Sequence, residues 1–248
     1  MNNNHLSLRS GNPTLSPKTF TGSFGTFDDV MTIDGTVNRT IVSLFILLTS
    51  GFLTFVFEIV AFAIIGTLIG FVLLIATMFK PQWAPKTVPL YALFQGAALG
   101  GISFMFNQIY DGIVTQAIVL TVGIFLSLLA AYKSRLIKVT ENFKLGVVAA
   151  TCGIGVLYVA SLFMSIFGMG QMPIMDITNS SLFSIGFSAF VVVIASLNLV
   201  LDFDFIEEAA EKGVPKYMEW RAALGLMVTL IWLYLEILRL LAKLQSRR

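Results

Sequence analysis

The stretch LNLVLDFDFIEE, Leu197 to Glu208, closes an oily run with four carboxylates: Asp202, Asp204, Glu207 and Glu208. Carboxyls in such a place do one of two things. They cap a segment at a wet surface, or they take up protons or cations inside a medium that disfavours their charge. Helical spacing separates the four. Asn198 and Asp202 are four apart and share a face, whereas Asp204, Glu207, Glu208 and Glu211 share the other and read as a solvated ridge. Asp202 is therefore the acid that would point into a bundle. An interfacial aspartate exposed to water fits the same pattern, and the sequence leaves both readings open. Three more acids stand in or beside apolar runs. Glu58 interrupts one at a point where the chain must turn, and reads as a polar turn residue. Glu219 opens the last run. Glu236 lies well inside that run, with Thr229 on the same stripe and Arg239 and Lys243 at +3 and +7, a spacing that suits an internal Glu–Arg pair.

The elements that position these residues follow from composition. The chain is 248 residues long, 56% hydrophobic and only 12% charged. Soluble domains carry roughly 25% charged residues, so this chain reads as an integral membrane protein. A hydrocarbon core about 30 Å thick needs about 20 residues per helix, and the length allows seven such spans. They fall at 39–57, 59–79, 88–108, 112–132, 145–168, 182–203 and 220–242. The first two form a hairpin split at Phe57–Glu58. KPQWAPKTVP, residues 80–89, reads as a loop because of its three prolines. GAALGG, residues 96–101, supplies small residues that let helices approach closely. Domain organisation follows: a polar tail over 1–38, partly disordered with a short amphipathic stretch near Phe20–Met31, a membrane domain over 39–244, and a basic end over 245–248.

Lysine and arginine sort by side. The amino-terminal tail and loops 2–3, 4–5 and 6–7 hold Arg9, Lys18, Arg39, Lys80, Lys86, Lys133, Arg135, Lys138, Lys144, Lys212, Lys216 and Arg221. Loops 1–2, 3–4 and 5–6 hold none, so the amino terminus is expected in the cytoplasm. Seven crossings then put the carboxy terminus outside, against the presence there of Arg239, Lys243, Arg247 and Arg248.

Other chemistry is thin. A net charge of +2 argues against nucleic-acid binding. The single cysteine, Cys152, allows no internal disulfide and reads as a small packing residue. The single histidine, His5, lies in the polar tail, so a hydrolytic triad or a haem ligand pair is not expected. No phosphate-binding, dinucleotide-binding, zinc-protease or serine-hydrolase motif is present, so no enzymatic activity and no cofactor are expected.

The end of span six, SLNLVLDFDFIEE, and span seven, GLMVTLIWLYLEILRLL (225–241), resemble the transmembrane Bax inhibitor motif family, the Bax inhibitor-1-like proteins. SGNPTLSPKTF, residues 10–20, resembles a bacterial branch of it, and the likeness covers roughly 39–244. The resemblance implies an all-α bundle of seven transmembrane helices with the last helix central. It implies a pH-sensitive calcium leak, set in the bacterial inner membrane and tied to stress responses, with lipid, calcium and protons as partners. In the family, an aspartate ending span six and another in span seven form a proton-sensitive pair, and a basic residue at the end of span two latches onto them. Asp202 matches the first through SLNLVLD, Thr229 stands where the second belongs, and Lys80 is the loose match for the latch. Glu236 falls where the family is polar but uncharged. The implied ion pathway thus comprises Asp202, Asn198, Glu219, Thr229 and Glu236, with Asp202 as calcium ligand. Partners left for Asp202 are Glu219, Asp204, Lys80 or water. Two rival readings remain open: a non-conducting modulator of a membrane protease or stress pathway that binds a membrane-protein partner by helix packing, and a proton-coupled solute transporter.

Overall fold

A computed structural model describes residues 30–168 and 170–247. His5, residues 10–20 and all but the last two positions of the expected amphipathic stretch fall outside them. The described chain is all helical: α1 (Ile33–Val56), α2 (Ala61–Phe79), α3 (Ala84–Ile109), α4 (Ile113–Lys133), α5 (Glu141–Ile166), α6 (Leu182–Glu211) and α7 (Met218–Gln245), with short 3-10 turns at Pro81–Trp83 and Pro173–Met175. All seven are long and apolar enough to cross a membrane. This is a polytopic membrane protein.

Local chemistry moves several boundaries. Helix α1 starts at Ile33 rather than 39 because Thr32 caps it, its hydroxyl accepting from the Gly35 N–H. Thr140 caps α5 in the same way through Phe143, which turns the last residues of the expected basic connector into helix. The proline-rich stretch 80–89 is largely helix. Pro81 opens a 3-10 turn, and Pro85 sits in the first turn of α3, where a missing N–H costs nothing. Pro89 removes one intrahelical bond and is tolerated. Helix α6 runs on to Glu211, so the carboxylates are carried on the helix and the connector shrinks to 212–217. The hairpin split holds: Glu58 is exposed and turns the chain with φ +56°, a left-handed conformation unusual outside glycine. Cys152, expected to pack internally, faces outward from α5.

The chain divides into two compact units, Met1–Ile109 with Asp202–Val228, and Tyr110–Leu201 with Thr229–Arg248. In the first, α1 and α2 both pack on α3. The GAALGG run makes this possible. A Cβ at Gly96 would lie 2.1 Å from the Ser50 hydroxyl and 2.2 Å from the Leu47 carbonyl, and one at Gly100 would lie 2.2 Å from the Gly51 carbonyl. Backbone thus meets backbone, and the run serves packing within the chain. At one end of this unit the Met31 N–H donates to the Val214 carbonyl at 2.7 Å, and Arg221 Nη1 donates to the Thr77 carbonyl at 2.9 Å. The start of α1, the end of α2, the end of α6 and the start of α7 therefore share an end. In the second unit, Ser246 near the end of α7 meets Tyr110 from loop 3–4 and donates to the Ile177 carbonyl of loop 5–6 at 3.4 Å. That alternation is what seven successive crossings require.

Burial ranks the helices. In the most apolar stretch of α7, 61% of residues are buried, against 56% for α3, 50% for α6 and 17–28% for the other four. The last helix is the most enclosed, as the resemblance implies. At 28 residues it extends about 42 Å, enough for a full crossing.

The glycine packing is testable. Gly96→Ala is expected to lose about 1–3 kcal/mol through overpacking. Gly123→Ala on α4, where an added Cβ meets nothing within 4 Å, is expected to be neutral or to gain up to about 1 kcal/mol. Thermal unfolding of both variants in detergent reads the difference.

Candidate functional site

The five carboxylates of α6 part company as helical spacing predicts. Asp202 is 0% exposed, Asp204, Glu207 and Glu208 are partly exposed, and Glu211 is exposed. The water-exposed reading of Asp202 is thus excluded by the fold, while the ridge sits where expected, with Glu208 accepting from Lys212 Nζ at 2.7 Å. Asp202 lies between Leu201 and Phe203, both buried, on a helix whose next apolar residues, Phe205, Ile206 and Ala209, belong to a core cluster with Met31, Val214, Met218 and Ala222.

Asn198, one turn before Asp202, is also buried. Its Nδ2 donates to Thr151 Oγ1 and to the Ile194 carbonyl, both at 2.8 Å, so it ties α6 to α5. Its Oδ1 is buried and accepts no hydrogen bond. Thr229 is buried as well, on α7.

Glu219 is 1% exposed and has a different set of partners from those the sequence offered. Its Oε1 accepts from the Thr32 N–H at 3.2 Å and the Thr32 hydroxyl at 3.1 Å, and its Oε2 lies 3.7 Å from Arg39 Nε. Arg39 also lies over the Trp220 ring, 5.0 Å from its centroid. The carboxylate thus sits at the N-terminus of α1 while belonging to the first turn of α7, two places where helix dipoles favour a negative charge. A Cβ at Gly35 would fall 2.0 Å from Glu219 Oε1, so only glycine leaves room for the carboxylate.

Glu236 forms the pair its spacing suggests, and more. Its Oε1 accepts from Arg239 Nη1 at 2.6 Å and from the Tyr158 hydroxyl at 2.5 Å, and Arg239 Nη1 also donates to that hydroxyl at 3.1 Å. Oε2 is buried and accepts no hydrogen bond. Tyr158 comes from α5, which has no marker in the sequence beyond being apolar.

Lys243 and Arg221 are buried cations whose partners the sequence did not reveal. Lys243 is 0% exposed, and its ammonium donates to the Ile174 carbonyl at 2.6 Å, the Ser184 carbonyl at 3.3 Å and the Ser188 hydroxyl at 2.9 Å. All three of its protons are used within the chain. Of the basic residues near the carboxy terminus, Arg239 pairs with Glu236 and Lys243 with the carbonyls and hydroxyl above, while Arg247 is exposed. The loop that Lys243 holds is further ordered by Asp176. The Thr178 backbone N–H, then its hydroxyl, donate to Asp176 Oδ1 at 2.9 and 2.7 Å and hold that carboxyl below the usual carboxylate range. A folded value below the unfolded one favours the ordered loop above about pH 4 and loses that contribution as pH falls through the lowered value.

The second buried cation is Arg221, 2% exposed, whose Nη1 reaches the Thr77 and Met78 carbonyls at 2.9 and 3.4 Å. It meets the negative end of the α2 dipole. Lys80, expected as the latch at this same end of α2, is exposed and lies over the Trp83 ring at 4.4 Å. Among the described residues no group of three or more His, Cys, Asp or Glu is placed to hold a metal ion.

A family model described as Bax inhibitor 1 like matches residues 6–246, nearly the whole chain and well into the polar tail that precedes α1. No curated protein and no solved structure matches the chain.

The Glu236–Arg239 pair carries its own test. Arg239→Met leaves a buried carboxylate without its cation and is expected to cost about 3 kcal/mol. Adding Glu236→Gln in the same chain removes that charge and is expected to recover most of the loss, as a thermal-unfolding double-mutant cycle would show.

Proposed function

We propose that this chain, which belongs to the Bax inhibitor 1 like family, passes a cation across its membrane under the control of protons, with Asp202 as the control point. The observation that supports this is the burial of Asp202. An ionisable side chain inside a membrane-spanning bundle is expensive to keep, and such residues mark ion and proton paths. The four acids that follow it on α6 show no such enclosure.

Calcium is the ion we propose, on the resemblance and on the hard oxygen character of a carboxylate. Calcium takes six to eight oxygens, so a passing ion at Asp202 would draw the rest from hydroxyls, backbone carbonyls and water. Protonation of Asp202 removes its charge and changes what the bundle has to balance, which is how pH enters. The latch role that the resemblance gives to the end of span two falls, in our reading, to Arg221, the cation buried against the last carbonyls of α2, rather than to exposed Lys80. The reading assigns no catalytic chemistry. The rival reading of a helix-packing modulator loses its motive feature, because GAALGG is occupied by α1 and α2.

Purified protein in liposomes loaded with a calcium dye tests this. Calcium entry should vary with pH, and Asp202→Asn, which fixes the side chain as neutral, should flatten that dependence. Lys80→Gln should leave the profile in place, and Arg221→Lys should displace it. Flux absent at every pH, or an Asp202→Asn profile identical to the parent, would sink the proposal.

A further inference from the structure

The segment just before α1 is held with unusual care for a chain entry. Val30 forms an isolated antiparallel bridge with Pro215, and the Met31 N–H donates to the Val214 carbonyl at 2.7 Å. Met31 is 2% exposed and packs among Phe205, Ile206 and Ala209 of α6, Val214 of the connector, and Met218 and Ala222 of α7. Thr32 gives both its N–H and its hydroxyl to the buried Glu219 at the start of α7. Arg39, one helical turn further into α1 than Gly35, adds its guanidinium to the same carboxylate at 3.7 Å. Backbone pairing, a buried apolar plug and a buried carboxylate thus fasten one short segment to the elbow between α6 and α7.

That elbow is where α6 ends, and Phe205, Ile206 and Ala209, within two turns of Asp202, are buried in its cluster. A helix end can shift only if what is fastened to it shifts or lets go. The strap is continuous with α1, and α1 is locked onto α3 through Gly96 and Gly100, where no side chain fits. The elbow is therefore anchored to a helix pair whose backbones meet directly.

We propose that residues 30–32 are an autoinhibitory strap that holds the α6–α7 elbow and so keeps the Asp202 segment of α6 in its resting position, with Glu219 as the clasp. The proposal rests on the reading of Asp202 as the control point, but the fastening has readouts of its own.

The experiment uses the full chain with Cys152→Ser, which removes its only native thiol, together with Val30→Cys and Pro215→Cys. Residues facing each other across an antiparallel bridge have Cα atoms about 4.5–5.5 Å apart, within the range a disulfide spans. Oxidation should form the bond, seen as loss of maleimide labelling, and should hold calcium flux low at every pH until reductant restores the parent profile. In a separate variant, Thr32→Val should speed hydrogen exchange at the Met31 amide roughly tenfold, the loss expected when a capping hydroxyl is removed, and should raise flux at neutral pH. Failure of the disulfide to form, or Met31 exchange unchanged in Thr32→Val, would overturn the fastening. A disulfide that forms while flux keeps its parent pH profile would overturn the inhibition. If the parent conducts nothing while Met31 exchange rises in Thr32→Val, the cation reading and the inhibitory role fall together and the strap survives only as a fastening.

Discussion

Hydrocarbon supplies no hydrogen bonds, so each charge that this chain buries has to be met from within the chain. Much of the architecture follows. Helix α7 carries Glu219, Arg221, Glu236 and Lys243, all buried. Each has a partner on another element: Glu219 on Thr32 and Arg39, Arg221 on the last carbonyls of α2, Glu236 on Tyr158 besides Arg239 of its own helix, Lys243 on loop 5–6 and α6. A helix with charges along its length can cross a membrane only if other helices surround it. The high burial of α7 and its charge content are thus one fact seen twice.

The charges also fix the ends of the bundle. Arg221 and Lys243 both donate to backbone carbonyls that helices and loops leave open, Glu219 accepts at a helix start, and each thereby settles a group that water would otherwise have to reach. Between the ends, packing takes over. In the first unit the backbones of α1 and α3 meet at Gly96 and Gly100, which removes any cushion of side chains between them.

Several features were legible in the chain. The number of helices and their order came from hydropathy, because about 20 apolar residues in a row have no other stable home. The turn at Glu58, the split of the α6 acids into one buried and several outward residues, and the Glu236–Arg239 pair all came from helical periodicity, which is strictly local. The family was visible at the end of span six and in span seven, and its match over 6–246 agrees. The boundaries were less legible. Thr32 and Thr140 extend helices upstream by capping, and prolines at 81 and 85 sit at helix starts, where they are harmless, although proline clusters usually signal loops.

By itself the sequence determined that this is a seven-helix membrane protein and which faces of its helices are apolar, since both depend on residues within a few turns of each other. Only the tertiary structure decided which charges meet. Glu219 lies 187 positions from Thr32, Arg221 lies 144 from Thr77, and Glu236 lies 78 from Tyr158. Threonine, tyrosine and a backbone carbonyl carry no mark in the sequence that says a buried charge will need them. The same holds for Asp202: its spacing said which way it would face, and only the packing of the other helices decided that no water-exposed surface was there.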